Sequence, residues 1–200
     1  MANLKGVDKR LIDVFNLARD KYLSKNFAGD SLDMKIIEGM RSYERQRKLY
    51  EKGASQTLQS NHLTGNAIDV IPVVNGKEEH GDWFYFYPVA NAMDKAADEL
   101  GVILTWGAAW TGTTETWDDS KEAVNEYKAI RRSQGRSVFL DGAHWEIPKR
   151  YQGKATNTID KNTRTKELQK FLNKYSSNLK EDGMYGPKTK AALDKFLDTL

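Results

Sequence analysis

Short apolar runs separated by stretches of helical periodicity, without a regular strand–helix–strand rhythm, constrain this chain's fold more than any other feature. "MKIIEGM" (34–40), "AIDVIPVV" (67–74) and "VILTWG" (102–107) read as strands, and "VFLDGAHWEIP" (138–148) as a turn and a short strand ended by Pro148. Pro72 argues for an edge or strand end, and Asn75-Gly76 supplies turn chemistry. Leu11, Val14, Phe15, Ala18 and Tyr22 recur at helical spacing after Asp8, predicting a capped helix over 8–25. "RSYERQRKLYEKG" offers Ser42 as N-cap and Gly53 as stop, so a strand delivers Arg41 to the mouth of a helix. Pro88 is a favoured first helical residue, and Val89, Ala92, Met93, Ala96, Ala97 and Leu100 keep one face apolar until Gly101. Val124, Tyr127 and Ile130 mark an inserted helix over 120–132. The mixture predicts an α+β fold rather than a doubly wound sheet.

Residues 151–162, "YQGKATNTIDKN", are polar and aperiodic and read as a linker. Beyond it, Thr163 or Thr165 is expected to cap a helix carrying Leu168, Phe171, Leu172 and Tyr175, and Pro187 to open a second with Ala191, Ala192, Phe196 and Leu197. The expected division is a domain at 1–150, a linker at 151–162 and a small all-α module at 163–200. So short a hairpin is expected to pack on its neighbour or to borrow part of the linker.

Composition narrows the chemistry. With 39% hydrophobic and 30% charged residues the chain is neither disordered nor fibrous. It has no apolar run long enough to span a membrane and no export peptide, so synthesis in the cytoplasm is expected. No cysteine is present, which excludes disulfides, thiolate nucleophiles and Cys-ligated zinc and leaves His, Asp and Glu as metal ligands. A net charge of +3 is too weak, with acidic residues interleaved throughout, to indicate nucleic acid. His62 ends a loop, Asp69 follows on a strand, and His144 begins another strand far along the chain. His, Asp and His suffice for a catalytic zinc that keeps one position for water, although a His near an Asp is more often a simple hydrogen-bonded pair.

"SNHLTGNAID" matches Ser-x-His-x-x-Gly-x-Ala-x-Asp, and with it the chain resembles the VanY-like zinc D-Ala-D-Ala carboxypeptidase and phage-endolysin superfamily. "GMRSYERQ", "LTWGAAW" and "DGAHWEI" are similar to further segments of that superfamily in the same order, and the tail from Thr165 is similar to a peptidoglycan-binding module. The resemblance implies a small, mainly antiparallel sheet flanked by helices around a Zn²⁺ held by His62, Asp69 and His144. It also implies Asp141 as general base and Arg41 steadying the substrate carbonyl.

Each role has a plainer rival. Arg41 could pair with Glu38 or Glu44, Asp141 could be a turn residue, and Glu146 could be the base or could support His144 from the same strand face. Ser60 is either a substrate contact or a turn cap. Trp106, Trp110 and Trp145 are expected to wall a cleft, and His80 to lie in solvent. About thirty residues between Trp110 and Asp141 exceed what related endolysins carry there, and could lid the cleft or alter specificity.

The resemblance implies an endolysin-type peptidase cutting the L-alanyl-D-glutamate bond of the peptidoglycan stem peptide. It would act as a monomer on the wall after the membrane is permeabilised. A D,D-carboxypeptidase and a non-catalytic wall-binding protein are the alternatives.

Overall fold

Antiparallel pairing around one interior strand organises the larger part of the molecule. The computed structural model describes residues 2–153, 161–175, 177–185 and 187–197, and the chain divides into two compact units, Met1–Thr156 and Asn157–Leu200. In the first unit β1 (Asn26–Phe27), β2 (Asp30–Glu38), β3 (Ala67–Val74), β6 (His144–Glu146) and β5 (Thr105–Trp106) lie in that spatial order. β4 (Lys77–Glu78) folds back on the end of β3, and every pairing is antiparallel.

β3 is therefore not an edge. Pro72 sits opposite Met34 of β2, and its carbonyl faces the other flank, where Glu79 N–H donates to it at 3.0 Å. On that flank the pairing passes from β6 to β4, so a residue without an N–H breaks no ladder bond there. Asn75 and Gly76 have φ of 50° and 76°, the two positive values a type I′ hairpin turn requires.

Helices cover one face of the sheet. α1 (Lys9–Leu17) starts where Asp8 accepts the Arg10 N–H, and it runs on as a single π-turn over Ala18–Tyr22. α2 (Tyr43–Glu51) is capped by Ser42, which accepts from Arg45 N–H at 3.2 Å. α3 (Trp83–Leu100) begins five residues before Pro88, at an Asp82 cap. Trp83–Tyr87 is a strand-favouring aromatic run, and packing of Phe86 and Trp83 against the core overrides that propensity. Pro88 then denies Phe84 O its helical donor, a loss water can make good where Phe84 is exposed. α4 (Ser120–Ser133) is capped by Asp119, which accepts two backbone N–H groups.

The run at 102–107 pairs as a strand only at Thr105 and Trp106, because Leu104 exchanges its hydrogen bonds with Thr114. Leu11, Val14, Ile68, Val70, Met93, Leu104, Trp106 and Trp145 belong to one buried cluster. No helix among the described residues is long and apolar enough to cross a membrane.

In the second unit α5 (Lys161–Asn173) and α6 (Pro187–Leu197) are joined by a loop tied to buried Gln169. Its side chain binds Asp182, Met184 O, Thr189 and the Gly183 N–H. α5 starts at Lys161, so Thr163 and Thr165 lie inside the helix rather than at its cap. Most of the stretch expected to be a linker lies outside the described residues.

Two glycines at similar backbone angles separate strain from space. Gly65 (φ 73°) has Gly6 O 2.0 Å from where a Cβ would stand, whereas Gly76 (φ 76°) has nothing within 4 Å. We expect Gly76→Ala to cost about 1–2 kcal/mol from the left-handed backbone alone. Gly65→Ala should cost at least about 2 kcal/mol more and loosen the His62 turn. Denaturant unfolding of both variants checks this, and equal losses would refute the packing role of Gly65.

Candidate metal centre

Sheet register builds the centre. Asp69 lies directly opposite His144 in the β3–β6 pair, where facing side chains share one side of the sheet. On the other flank β2 carries a bulge between Ile36 and Glu38, so that Glu38 rather than Ile37 stands opposite Asp69. Without that extra residue the alternation would turn Glu38 into the helical core. Glu38, Asp69 and His144 thus form a row across three strands.

His62 arrives on the 3₁₀ turn Asn61–Thr64. The Ser60 hydroxyl caps that turn by accepting the His62 N–H at 3.3 Å, and Gly65 closes it. Arg41 N–H donates to His62 O at 3.1 Å, fastening the turn to the strand end.

Three donor atoms converge. His62 Nε2 is 3.1 Å from Asp69 Oδ1 and 3.2 Å from His144 Nδ1, and His144 Nδ1 is 3.3 Å from Asp69 Oδ1. Ligands held about 2.0–2.1 Å from a tetrahedral zinc stand about 3.3–3.4 Å apart, so this triangle has the size such an ion needs. The outer partners fix the tautomers. His62 Nδ1 meets Gly39 O at 2.8 Å and His144 Nε2 meets Glu146 Oε2 at 3.0 Å, and since both partners only accept, both nitrogens carry protons. In the neutral imidazoles the lone pairs of His62 Nε2 and His144 Nδ1 then point toward each other and toward a carboxylate oxygen. Only a cation or a proton between them makes that stable.

The electrostatics agree. Burial opposes charge on His144, but hydrogen bonds to Asp69 and Glu146 outweigh it and push its pKa up to about 9. Burial would raise Asp69, yet the bonds to His144 and His62 hold it well below the usual carboxylate range. Its second oxygen takes Arg41 Nη2 at 3.2 Å, leaving one oxygen for the centre.

A cleft of about 760 Å³ opens over this triangle, and Ser60, Trp110, Asp141 and Glu146 line it with the three ligand candidates. Asp141 is raised above the ordinary carboxylate range, chiefly by burial, with His144 opposing and Asp69 reinforcing. Glu146 differs: one of its oxygens takes both His144 Nε2 and Asn61 Nδ2, the latter at 2.8 Å. Burial would raise it too, but these bonds leave it lowered.

Arg41 is 9% exposed and gives its terminal nitrogens to Gln46 (2.7 Å), Glu38 (2.7 Å) and Asp69. Glu44 pairs with Lys48 instead.

Two tryptophans expected at the cleft are elsewhere. Trp145 alternates with His144 and Glu146 on β6 and so faces the core, where it stacks on Trp106 with centroids 5.6 Å apart. Trp106 donates to Gly142 O at 2.8 Å and supports the turn before His144. Trp110 does line the cleft, 5.3 Å from the His144 ring. His80 is exposed beside Glu78.

Sequence reading gave no role to Asn61, or to Gln46, which is fully buried and links Arg41 to Ser55 and Thr57 O. Gln46 closes the "GMRSYERQ" segment, but that resemblance gives it no role, and Asn61 falls between the Ser and His of its own segment.

Comparison with known proteins shows the family. L-alanyl-D-glutamate peptidase of Escherichia phage T5 is 34% identical over 95 residues, 46% of this chain and 69% of that protein. The crystal structure of the Serratia marcescens L-Ala D-Glu endopeptidase ChiX is similar with a TM-score of 0.50 and 31% identity, over 74% of this chain and 85% of that one. The family described as phage L-alanyl-D-glutamate peptidase matches residues 2–130, a span that takes in Arg41, His62 and Asp69 and ends before Asp141 and His144. By that match the chain belongs to the phage L-alanyl-D-glutamate peptidase family.

Proposed function

We propose that this chain is a zinc-dependent endolysin that hydrolyses the L-alanyl-D-glutamate bond of the peptidoglycan stem peptide. The observation that carries the metal is the triangle of His62 Nε2, Asp69 Oδ1 and His144 Nδ1, with each imidazole's other nitrogen already bound. Family membership carries the bond that is cut. Zinc held there supplies a Lewis acid that polarises the scissile carbonyl and acidifies water.

The chain's own groups do the rest. Asp141, in the cleft and not engaged as Glu146 is, takes the proton of the attacking water and returns it to the leaving amine. Its burial favours that exchange, because a carboxylate poised above its ordinary range is the better proton carrier near neutrality. Glu146 holds the His144 ring in its tautomer, and Arg41 holds Asp69 while adding positive charge at the cleft where the carbonyl oxygen gains negative charge. The helical unit at 157–200 serves as the wall-binding module, and the enzyme, made in the cytoplasm, reaches the wall once the membrane is breached.

Dialysis against a chelator should abolish cleavage of purified walls and zinc should restore it; unchanged cleavage by metal-free protein would refute the metal role. The two carboxylates should separate cleanly. Asp141→Asn is expected to keep zinc and lose about 10²–10⁴-fold in kcat, whereas Glu146→Ala should weaken zinc about 10–100-fold in a chelator competition. The reverse pattern would make Glu146 the base. New amino termini in the digest should be D-glutamate; released D-alanine would indicate a carboxypeptidase.

A further inference from the structure

The end of α4 and the segment after it add one wall to the cleft, and that wall is basic. Arg131, Arg136 and Phe139 line it together with the metal ligands. Phe139 stacks near Trp110, centroids 6.4 Å apart, and Trp110 lies against His144, so the wall is braced on the centre itself.

The end of α4 sets the two arginines. Gly135 has φ 64°, its N–H bonds Arg132 O at 3.0 Å, and Arg136 N–H bonds Arg131 O at 2.9 Å. This pair of bonds is the Schellman ending, whose first and last positions usually bring two apolar side chains together. Here both positions are arginine. Arg131 is fixed further by donating from Nε to Ser137 O at 2.8 Å, a bond that does not use its terminal nitrogens. Among the described residues neither guanidinium has a carboxylate partner, although Glu38, Asp69, Asp141 and Glu146 line the same cleft. Two cations on one cleft wall make it attractive to an anion.

The family's substrate contains such an anion. Whichever carboxyl of D-glutamate continues the peptide, the other stays free on the leaving-amine side of the cut. Nearer the ligands the lining carries four carboxylates with Arg41 and Lys149, and Arg41 is already held by Glu38 and Asp69. The basic wall belongs to the stretch that leads directly into Asp141, the group proposed to return a proton to that amine.

We propose that Arg131 and Arg136 together bind the free carboxylate of the D-glutamyl residue and so select an acidic residue after the scissile bond. This rests on the peptidase reading given above. Guanidinium pairs suit it because each offers parallel N–H donors to a carboxylate.

The test compares the full-length zinc-loaded protein and its R131Q/R136Q variant on two synthetic stem peptides. One carries the free glutamyl carboxylate, and the other the same group as an amide. The wild type should prefer the acid, and the variant's ratio of kcat/KM, acid over amide, should fall on the order of 10- to 100-fold, mainly through KM. Taking the ratio within one variant cancels any loss of folded protein. A wild type that cuts the amide as well as the acid, or a variant whose ratio stays within about twofold of it, overturns the proposal. If the wild type cuts neither peptide, the peptidase reading fails, and the carboxylate site falls with it.

Discussion

Lone pairs aimed at one point are the constraint on which the rest of this structure depends. His62 Nε2, His144 Nδ1 and Asp69 Oδ1 stand 3.1–3.3 Å apart while the far nitrogen of each ring is committed to an acceptor. Such an arrangement repels itself until positive charge fills it. The surrounding architecture keeps it from relaxing. Gly39 allows the strand end to approach the N-terminal segment, where a Cβ would meet Asn3 O at 2.6 Å, and its own carbonyl receives His62. Gly107 lets its turn lie against the strand that bears His144, where a Cβ would meet Asp141 O at 2.5 Å. Close backbone approach at these two glycines brings donors from distant parts of the chain to one place.

What could be read in advance follows the range of the interactions. Caps at Asp8 and Ser42 and the Asn75-Gly76 turn depend on neighbours within a few residues, and their sequence patterns match the structure. The start of α3 does not, because an aromatic stretch with strand propensity becomes helical only when Phe86 has a core to enter. The site divides in the same way. Asp69 was placed on its strand by local pattern, but its partnership with His144 comes from strand register across 75 residues, and spacing alone cannot show it. The residue types allow it, and the resemblance of the motifs implies it. Trp145 was misjudged for a related reason: alternation on β6 puts His144 and Glu146 on the site face and sends the residue between them inward.

The bulge in β2 shows how a single residue can decide function. It leaves Ile36 opposite Val70 in the core while bringing Glu38 opposite Asp69. Glu38 then holds Arg41, and Arg41 holds the outer oxygen of Asp69. Asp69 thereby has one oxygen left for the centre, so an ion held there would meet three protein donors and keep a position for water. A carboxylate free to bind through both oxygens would crowd that position.

The same principle accounts for the cleft wall. Helix ends normally conceal an apolar contact at the positions that Arg131 and Arg136 occupy. The two arginines forgo that contact, while their charge suits the C-terminal end of α4 and Arg131 gains the bond to Ser137 O. Both side chains line the cleft without a carboxylate partner among the described residues, and that is the ground for the anion site proposed for them. The proposed base is set differently: burial raises Asp141, while the charge of His144 and the N–H groups of His144 and Ala143 moderate the rise. The proposed wall and base thus lie close along the chain and would meet opposite demands, the wall for an anion that arrives and the base for a proton that leaves.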